Sequence, residues 1–333
     1  MKKYNVAVIG VGAVGEEMLR VLRQRNFPIN ELKIFARSAR EISVDGQRYN
    51  VEALSENSFK GIHIALFAGT EGEKGAAVTY APAAVKAGCV VIDTGADFRM
   101  QKNVPLVVPE ANAKDVKKHK GIIANPNCST IQMVVALAPI QKKAGIKRII
   151  ASTYQAVSGS GRGGIVQLEA EYQAWAGQPG NGNKQHMDQS IAFNLFPHIG
   201  SFGKDGYTTE EWKMVNETHK ILHDSKIKIS ATTVRVPVRT GHSEAVYIET
   251  GKPMTADGIR KLLSKSPGIV LLDDPKNKVY PMPRDCVGRD EVFVGRVRRD
   301  PFVKNGFWLW IVSDNLRKGA ATNAVQIAEE LIK

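Results

Sequence analysis

The chain has 333 residues, more than a single hydrophobic core usually serves, so two domains are expected. Its 43% hydrophobic content describes a globular chain, and with no apolar run of about 18 residues no transmembrane helix is expected. The net charge of +13 (46 Lys and Arg against 33 Asp and Glu) is spread along the chain, which disfavours nucleic acid as a partner and suits attraction of small anions, or plain solubility.

The opening M-K-K-Y-N-V-A-V-I-G enters a glycine-rich turn too early for a signal peptide, and Cys89, Cys128 and Cys286 lie too far apart to suggest a disulfide framework. A cytoplasmic chain is expected. Residues 5–9 read as a strand, followed by Gly10-Val11-Gly12-Ala13-Val14-Gly15 and an amphipathic helix to about Gln24. Between strand and helix, such a turn is the dinucleotide fingerprint: the first glycine turns tightly, the second admits a pyrophosphate, the third lets helix pack on strand. A second strand at 32–35 ends in Ala36-Arg37-Ser38-Ala39-Arg40. An NAD site usually has an acid there; Arg37, Ser38 and Arg40 suit a 2′-phosphate instead, which predicts NADP. Further strands at 62–67, 90–93 and 106–108, with helical stretches between, imply a doubly wound, Rossmann-like parallel sheet. Ala68, Gly69 and Thr70 follow one strand and should face the cofactor, whereas Arg99 follows the next, on the ligand side, as a phosphate-binding or salt-bridging residue.

Ile122 and Ile123 end a buried strand, Asn125-Pro126-Asn127 turn the chain, and Cys128 stands at the mouth of a helix begun by Ser129 and Thr130. The helix dipole and unpaired backbone N–H groups there stabilise a thiolate or an oxyanion, which makes Cys128 a candidate nucleophile. Beyond it the texture changes. A long strand at 146–157 carries the polar Gln155, placed either for a ligand or on a solvent face, and runs into Ser158-Gly159-Ser160-Gly161. Residues 177–207 read as irregular and 208–223 as a helix bearing Glu210, Glu211 and Lys213 near its start. His219 and His223 have a zinc-like spacing but no third ligand, so no metal is expected. Strands at 227–238 and 242–249, the second returning through Arg239-Thr240-Gly241, precede strands at 291–299 and 307–313 in a mostly antiparallel second sheet. Asp314-Asn315-Leu316 then opens a helix to Lys333.

N-P-N-C-S-T at 125–130, S-T-Y-Q-A-V-S-G, E-E-W-K-M-V-N-E-T, R-V-P-V-R-T-G-H-S and S-D-N-L-R-K-G-A-A together resemble the bacterial aspartate-β-semialdehyde dehydrogenase family over essentially the whole chain. The resemblance implies NADPH-dependent reduction of L-aspartyl-4-phosphate to aspartate semialdehyde with release of phosphate, on the route to lysine, threonine and methionine, by a homodimer. By match, Cys128 is the nucleophile, His242 the acid/base, and Gln155 the residue that orients the intermediate. Arg235 matches the clamp on the substrate carboxylate, Glu210 binds the amino end, and Arg99, Asn127 and Lys213 hold phosphate. Ser158, Gly159 and Asn315 match cofactor-side positions. The domains implied are 1–128, completed by 315–333, for NADP, and 129–314 for catalysis and dimerisation.

Three stretches depart from the family pattern: the first turn is one residue shorter than G-A-T-G-x-V-G, the S-A-G-G loop reads Ala68-Gly69-Thr70, and D-N-S-S-A-F-R reads D-T-G-A-D-F-R. All bear on the cofactor side. The A-D-F-R variant echoes the N-acetyl-glutamyl-phosphate reductases, which run the same chemistry on a longer acylated substrate. A non-catalytic dinucleotide-binding paralogue would have lost Cys128 or His242; both are present.

Overall fold

A computed structural model describes residues 2–68, 75–178 and 185–333. Two compact units make up the chain, Met1–Asn127 with Ala320–Lys333, and Cys128–Gly319. Cys128 and residues 315–319 therefore group with the second unit: the cysteine opens a helix of that unit, and the Asn315 amide is bonded to its loops.

The first unit is built on a seven-stranded sheet in the order β3-β4-β2-β1-β5-β6-β7. Its strands are β1 (Tyr4–Ile9), β2 (Ile29–Ala36), β3 (Arg40–Val44), β4 (Gln47–Ala53), β5 (Ile64–Phe67), β6 (Val90–Asp93) and β7 (Ile122–Ala124). The pairs from β2 through β1, β5 and β6 to β7 are parallel. Covered on both faces, these strands read as near-continuous apolar runs; Val6, Val8, Leu66 and Ile92 are fully buried, each worth about 1.5–3 kcal/mol. Helices α1 (Ala13–Gln24) and α2 (Ala76–Lys86) provide the crossovers, a short α3 (Pro109–Asn112) follows β6, and the C-terminal helix Thr322–Leu331 packs with α1 and β6. Strand order reverses at β1, so the crevice for a ligand lies at the carboxyl ends of β1 and β5, where Gly10 and Ala68 stand.

Two features depart from expectation. Residues 106–108 form no full strand; Leu106 makes a single parallel bridge to Ala124. Conversely, residues 40–53 form the antiparallel hairpin β3–β4, turned by Asp45-Gly46 with φ of 50° and 79°. Arg40 thus opens a strand instead of sitting in a loop.

The second unit carries a six-stranded sheet in the order β11-β12-β13-β10-β8-β9. Its strands are β8 (Ile146–Gln155), β9 (Lys228–Arg235), β10 (His242–Thr250), β11 (Ile269–Leu271), β12 (Val292–Arg299) and β13 (Gly306–Ser313), with β8–β9 and β11–β12 parallel and the other pairs antiparallel. Helices α4 (Cys128–Ala144), α5 (Arg162–Trp175), α6 (Thr209–Leu222), α7 (Ala256–Leu263) and α8 (Pro283–Cys286) complete it. A capping box starts α6: the Glu211 N–H donates to Thr208 Oγ1, and the Thr208 N–H donates to Glu211 Oε2. The other Glu211 oxygen accepts the Thr233 N–H of β9.

The order of β9 and β10 corrects a sequence expectation. They are not hairpin neighbours; β8 lies between them. The connecting residues cross the end of β8, with Val236 N–H donating to the Gln155 carbonyl and Val157 N–H to that of Val238. This crossing builds the site.

Candidate active site

Strand register sets side chains in rows. Arg235 of β9 pairs with Gln155 of β8, and His242 of β10 pairs with Ser313 of β13. With Ser243 opposite Tyr154, Gln155 and His242 fall on the same face at the same end of the sheet. Arg235, Gln155, His242 and Ser313 thus form one polar row across four strands. Helices α4 and α6 pack over that face, which leaves all four residues buried. Cys128, the first residue of the seventeen-residue α4, is half-buried and close enough to Arg235 for their charges to interact. Four residues read from separate motifs thereby meet in one unit.

Every group in the row is held. The Gln155 amide donates to Glu210 Oε1 at 3.1 Å, and its oxygen accepts from Thr153 Oγ1 at 3.0 Å. Glu210 also pairs with Lys213 at 3.6 Å. Arg235 Nη1 donates to the Ala156 carbonyl at 2.7 Å, while the Ala156 N–H donates to His242 Nδ1 at 3.0 Å. One peptide residue therefore orients both side chains. Burial lowers the Arg235 pKa from its ordinary value, opposed by Glu210 and Cys128. Burial, with the Arg235 charge, holds His242 well below the usual imidazole range.

Two glycines leave room that any side chain would fill. A Cβ on Gly159 would come within 2.7 Å of Arg235 Nη1 and 3.1 Å of His242 Nε2. Gly319, in the π-helical turn Arg317–Ala321, packs so closely on Cys128 that its Cβ would lie 3.0 Å from that of the cysteine. Ser158 and Asn315, predicted on the cofactor side, are bonded to each other, and the Asn315 oxygen also accepts the Gly241 N–H. His219 Nε2 is engaged with the Ile227 carbonyl.

In the first unit, Arg99 is buried, donating through Nε to the Asn125 carbonyl at 3.0 Å and through Nη2 to that of Thr94 at 2.7 Å. Asn127 is buried at the end of this unit and adjoins Cys128 in the chain. The nucleotide turn suits a dinucleotide. Gly10 has φ of 97°, a Cβ on Gly15 would sit 2.0 Å from the Gly10 carbonyl oxygen, and one on Gly12 would meet nothing within 4 Å. Close packing at Gly15 and open space at Gly12, with Ala13 and Val14 beginning α1, are what a pyrophosphate at a helix N-terminus requires. Arg37, Ser38 and Arg40 are exposed beyond β2, Arg40 reaching Ser38 Oγ at 3.4 Å. Ala68 ends the β5 ladder, its N–H donating to the Ile9 carbonyl; Gly69 and Thr70 lie outside the described residues.

The semialdehyde dehydrogenase NAD binding domain matches residues 5–119, and the semialdehyde dehydrogenase dimerisation domain matches residues 137–318. An aspartate-semialdehyde dehydrogenase of Aquifex aeolicus is 53% identical over 338 residues, taking in 99% of this chain and 98% of that protein. The chain belongs to the aspartate-semialdehyde dehydrogenase family. Another member, from Bacillus subtilis, is 49% identical over 344 residues, covering 99% of this chain and 97% of its own. The crystal structure of aspartate semialdehyde dehydrogenase II from Vibrio cholerae complexed with ASA superposes with a TM-score of 0.93 at 45% identity, over 100% of this chain and 99% of that one. As a member of this family the chain is an oxidoreductase that uses a nicotinamide dinucleotide. Among the described residues no helix is long and apolar enough to cross a membrane.

Three groups beside this dehydrogenase site escaped the sequence reading. Ala156 acts through its backbone, which no residue type announces. Gly319 acts by lacking a side chain, and only the fold reveals its neighbour. Glu244 stands two residues beyond His242 on the same face of β10 and is fully buried. Neither carboxyl oxygen has a proper hydrogen-bond partner; Gln132 of α4 lies beside it, its own oxygen taken by Ser313 Oγ at 2.7 Å. Burial pushes the Glu244 carboxyl well above the usual range, with Gln132 pulling the other way, which favours the protonated form in the folded chain relative to the unfolded one. The sign follows from linkage. The contribution of this group to stability is fully present below the unfolded pKa and falls as pH rises toward the folded one. Glu244→Gln should therefore flatten the decline of stability as pH rises above the unfolded carboxyl value of about 4.3, measured as urea midpoints; an unchanged slope would mean that Glu244 is ionised in the folded chain.

Proposed function

We propose that the chain catalyses the reversible, NADPH-dependent reductive dephosphorylation of L-aspartyl-4-phosphate to L-aspartate-4-semialdehyde through a thioacyl intermediate on Cys128, as a cytoplasmic homodimer serving lysine, threonine and methionine synthesis. The observation that carries this reading is the meeting of Cys128 with Arg235 and the buried Gln155–His242 row in one unit. A thiolate at a helix N-terminus next to a guanidinium is suited to attack an acyl phosphate, trading an anionic leaving group for a thioester that accepts hydride well. Arg235 offers a cationic fork for the substrate carboxylate and Glu210 an anion for its amino group, with Gln155 between them. Arg99, Asn127 and Lys213 are assigned to phosphate. NADPH, when bound, supplies the hydride; the Gly10–Gly15 turn would hold its pyrophosphate, and Arg37, Ser38 and Arg40 its 2′-phosphate. Ser158 and Gly159, braced by Asn315, are assigned to its nicotinamide side. The dimer rests on the dimerisation domain matched over residues 137–318, and the substrate on the relatives' names and on the V. cholerae structure with ASA.

The test follows NADP⁺ reduction by absorbance with phosphate and aspartate semialdehyde, beside N-acetylglutamate semialdehyde and an NAD⁺ control. Phosphate-dependent turnover of aspartate semialdehyde with NADP⁺ is expected. Turnover of the acetylated substrate alone would overturn the assignment of Arg235 and Glu210.

A further inference from the structure

We infer that Glu171 and Gln167 of α5 are positioning residues for Arg235: they tether the irregular segment 186–192, which carries Phe196 onto the outer edge of β9 at the residue that grips the substrate carboxylate. The inference deepens the proposed function and rests on it for what Arg235 holds. Neither side chain belongs to the polar row.

β9 stands last in the strand order, so one of its edges has no strand alongside, and Arg235 is its final residue. The end of an edge strand frays unless something pairs with it. At Arg235 something does. Its N–H donates to the Phe196 carbonyl at 2.8 Å, and the Phe196 N–H donates to the Arg235 carbonyl at 3.0 Å, an isolated antiparallel bridge. On the inner side Arg235 pairs with Gln155. The backbone that bears the guanidinium is thus pinned from both sides.

Residues 185–196 form no helix or strand, so their backbone groups must find partners elsewhere. Helix α5 supplies them. Gln167 Oε1 accepts the N–H groups of His186 and Met187, each at 2.7 Å, and the Gln167 amide donates to the Gln189 carbonyl at 3.1 Å. One turn on, Glu171 Oε2 accepts the N–H groups of Ile191 and Ala192 at 2.8 and 2.7 Å. Its Oε1 accepts from the Gln167 amide at 2.7 Å, which joins the two tethers. Burial raises the Glu171 pKa, but the Ala192 N–H, Gln167, Ser190 and the Ile191 N–H outweigh it and keep the carboxyl below its ordinary value. An ionised acceptor holds such N–H groups more strongly than a neutral one.

Packing carries the tether to the bridge. Ile191 is fully buried with Val157 and Leu168, and Met187, Ala192 and Phe196 pack against them. Between tether and bridge, Phe193 has φ of 58°, a left-handed conformation that a bulky residue keeps only where its surroundings impose it. At the other end of the segment, His186 Nε2 bonds the Ser160 carbonyl at 2.9 Å, and its ring fills the space where Gly163 would carry a Cβ. Past Arg235 on its own chain Pro237 is tied too, its carbonyl accepting the Tyr172 hydroxyl at 3.3 Å. Helix α5 therefore reaches Arg235 twice, through Phe196 and through the residues that follow it. Removing the Glu171 carboxylate frees Ile191 and Ala192, lets Phe193 relax and loosens the bridge. The guanidinium is then less preorganised for a carboxylate, while the groups around Cys128 keep their bonds.

The test compares the full-length protein with its Glu171→Ala and Glu171→Gln variants. Glu171→Ala should raise the KM for aspartate semialdehyde by about tenfold, with kcat within about threefold and the KM values for phosphate and NADP⁺ unchanged. Glu171→Gln keeps an acceptor oxygen for both N–H groups and should bring that KM back to within about threefold of wild type. A lower urea midpoint with the KM unmoved would make the contact merely structural and overturn the inference. So would a rise shared equally by all three KM values. Hydrogen exchange followed by mass spectrometry needs no substrate, so it judges the tether apart from any failure of the proposed function. In Glu171→Ala, peptides spanning 186–196 and 232–238 should exchange at least about tenfold faster, with those spanning 146–153 unchanged. Unchanged exchange around Arg235 would count equally against a positioning role.

Discussion

Cys128→Ala should lower turnover by about 10⁴-fold or more and leave NADPH binding unchanged. The thiol is the only group proposed to form a covalent bond with substrate, and no other side chain of the polar row is a nucleophile of comparable strength. Binding should survive because the glycine turn, with its tight Gly15 and open Gly12, belongs to the first unit, whereas Cys128 belongs to the second. Nor is folding at risk: Cys128 is half-buried, and alanine is the best helix former. Fluorescence titration with NADPH and a single-turnover assay measure the two halves. A second signature is mass: the wild-type chain incubated with substrate acyl phosphate should gain an adduct on Cys128 that the variant lacks. Retained turnover would remove Cys128 as the nucleophile and with it the thioacyl route.

Arg235→Ala should cost about 10³-fold in kcat/KM, roughly 4 kcal/mol of transition-state binding. Two losses combine. A desolvated guanidinium no longer meets the substrate carboxylate, and the Ala156 carbonyl loses the 2.7 Å bond that helps fix the peptide behind His242. Arg235→Lys separates them. Lysine restores the charge but not the planar fork, so KM should rise by about 10–100-fold while kcat falls less. The KM for aspartate semialdehyde is the measurement. An unchanged KM in both variants would place the carboxylate elsewhere.

How much of this was legible beforehand differs from element to element. The first strand, its glycine turn and α1 could be read closely, because each local signal agrees with the tertiary demand on it. The β3–β4 hairpin was missed although Asp45-Gly46 is a strong turn signal; its flanks alternate polar and weakly apolar residues, as edge strands do. Residues 106–108 have strand composition but only one bridge, since the chain turns at Pro109 into α3. In the site, Cys128, Gln155, Arg235 and His242 were visible as residue types in motifs. Ala156, Gly319 and Glu244 were not, because a backbone amide, a missing side chain and a buried acid carry no mark of position.

The residues by themselves determined the two-unit α/β organisation, a dinucleotide turn and a cysteine at a helix mouth, because hydrophobic period, glycine placement and helix-start chemistry are local properties. Only the tertiary structure decided that β8 inserts between β9 and β10. That ordering is a matter of long-range strand pairing, which no local window encodes. From it follow the row Arg235–Gln155–His242 and the Ala156 peptide residue that bonds both of its outer side chains.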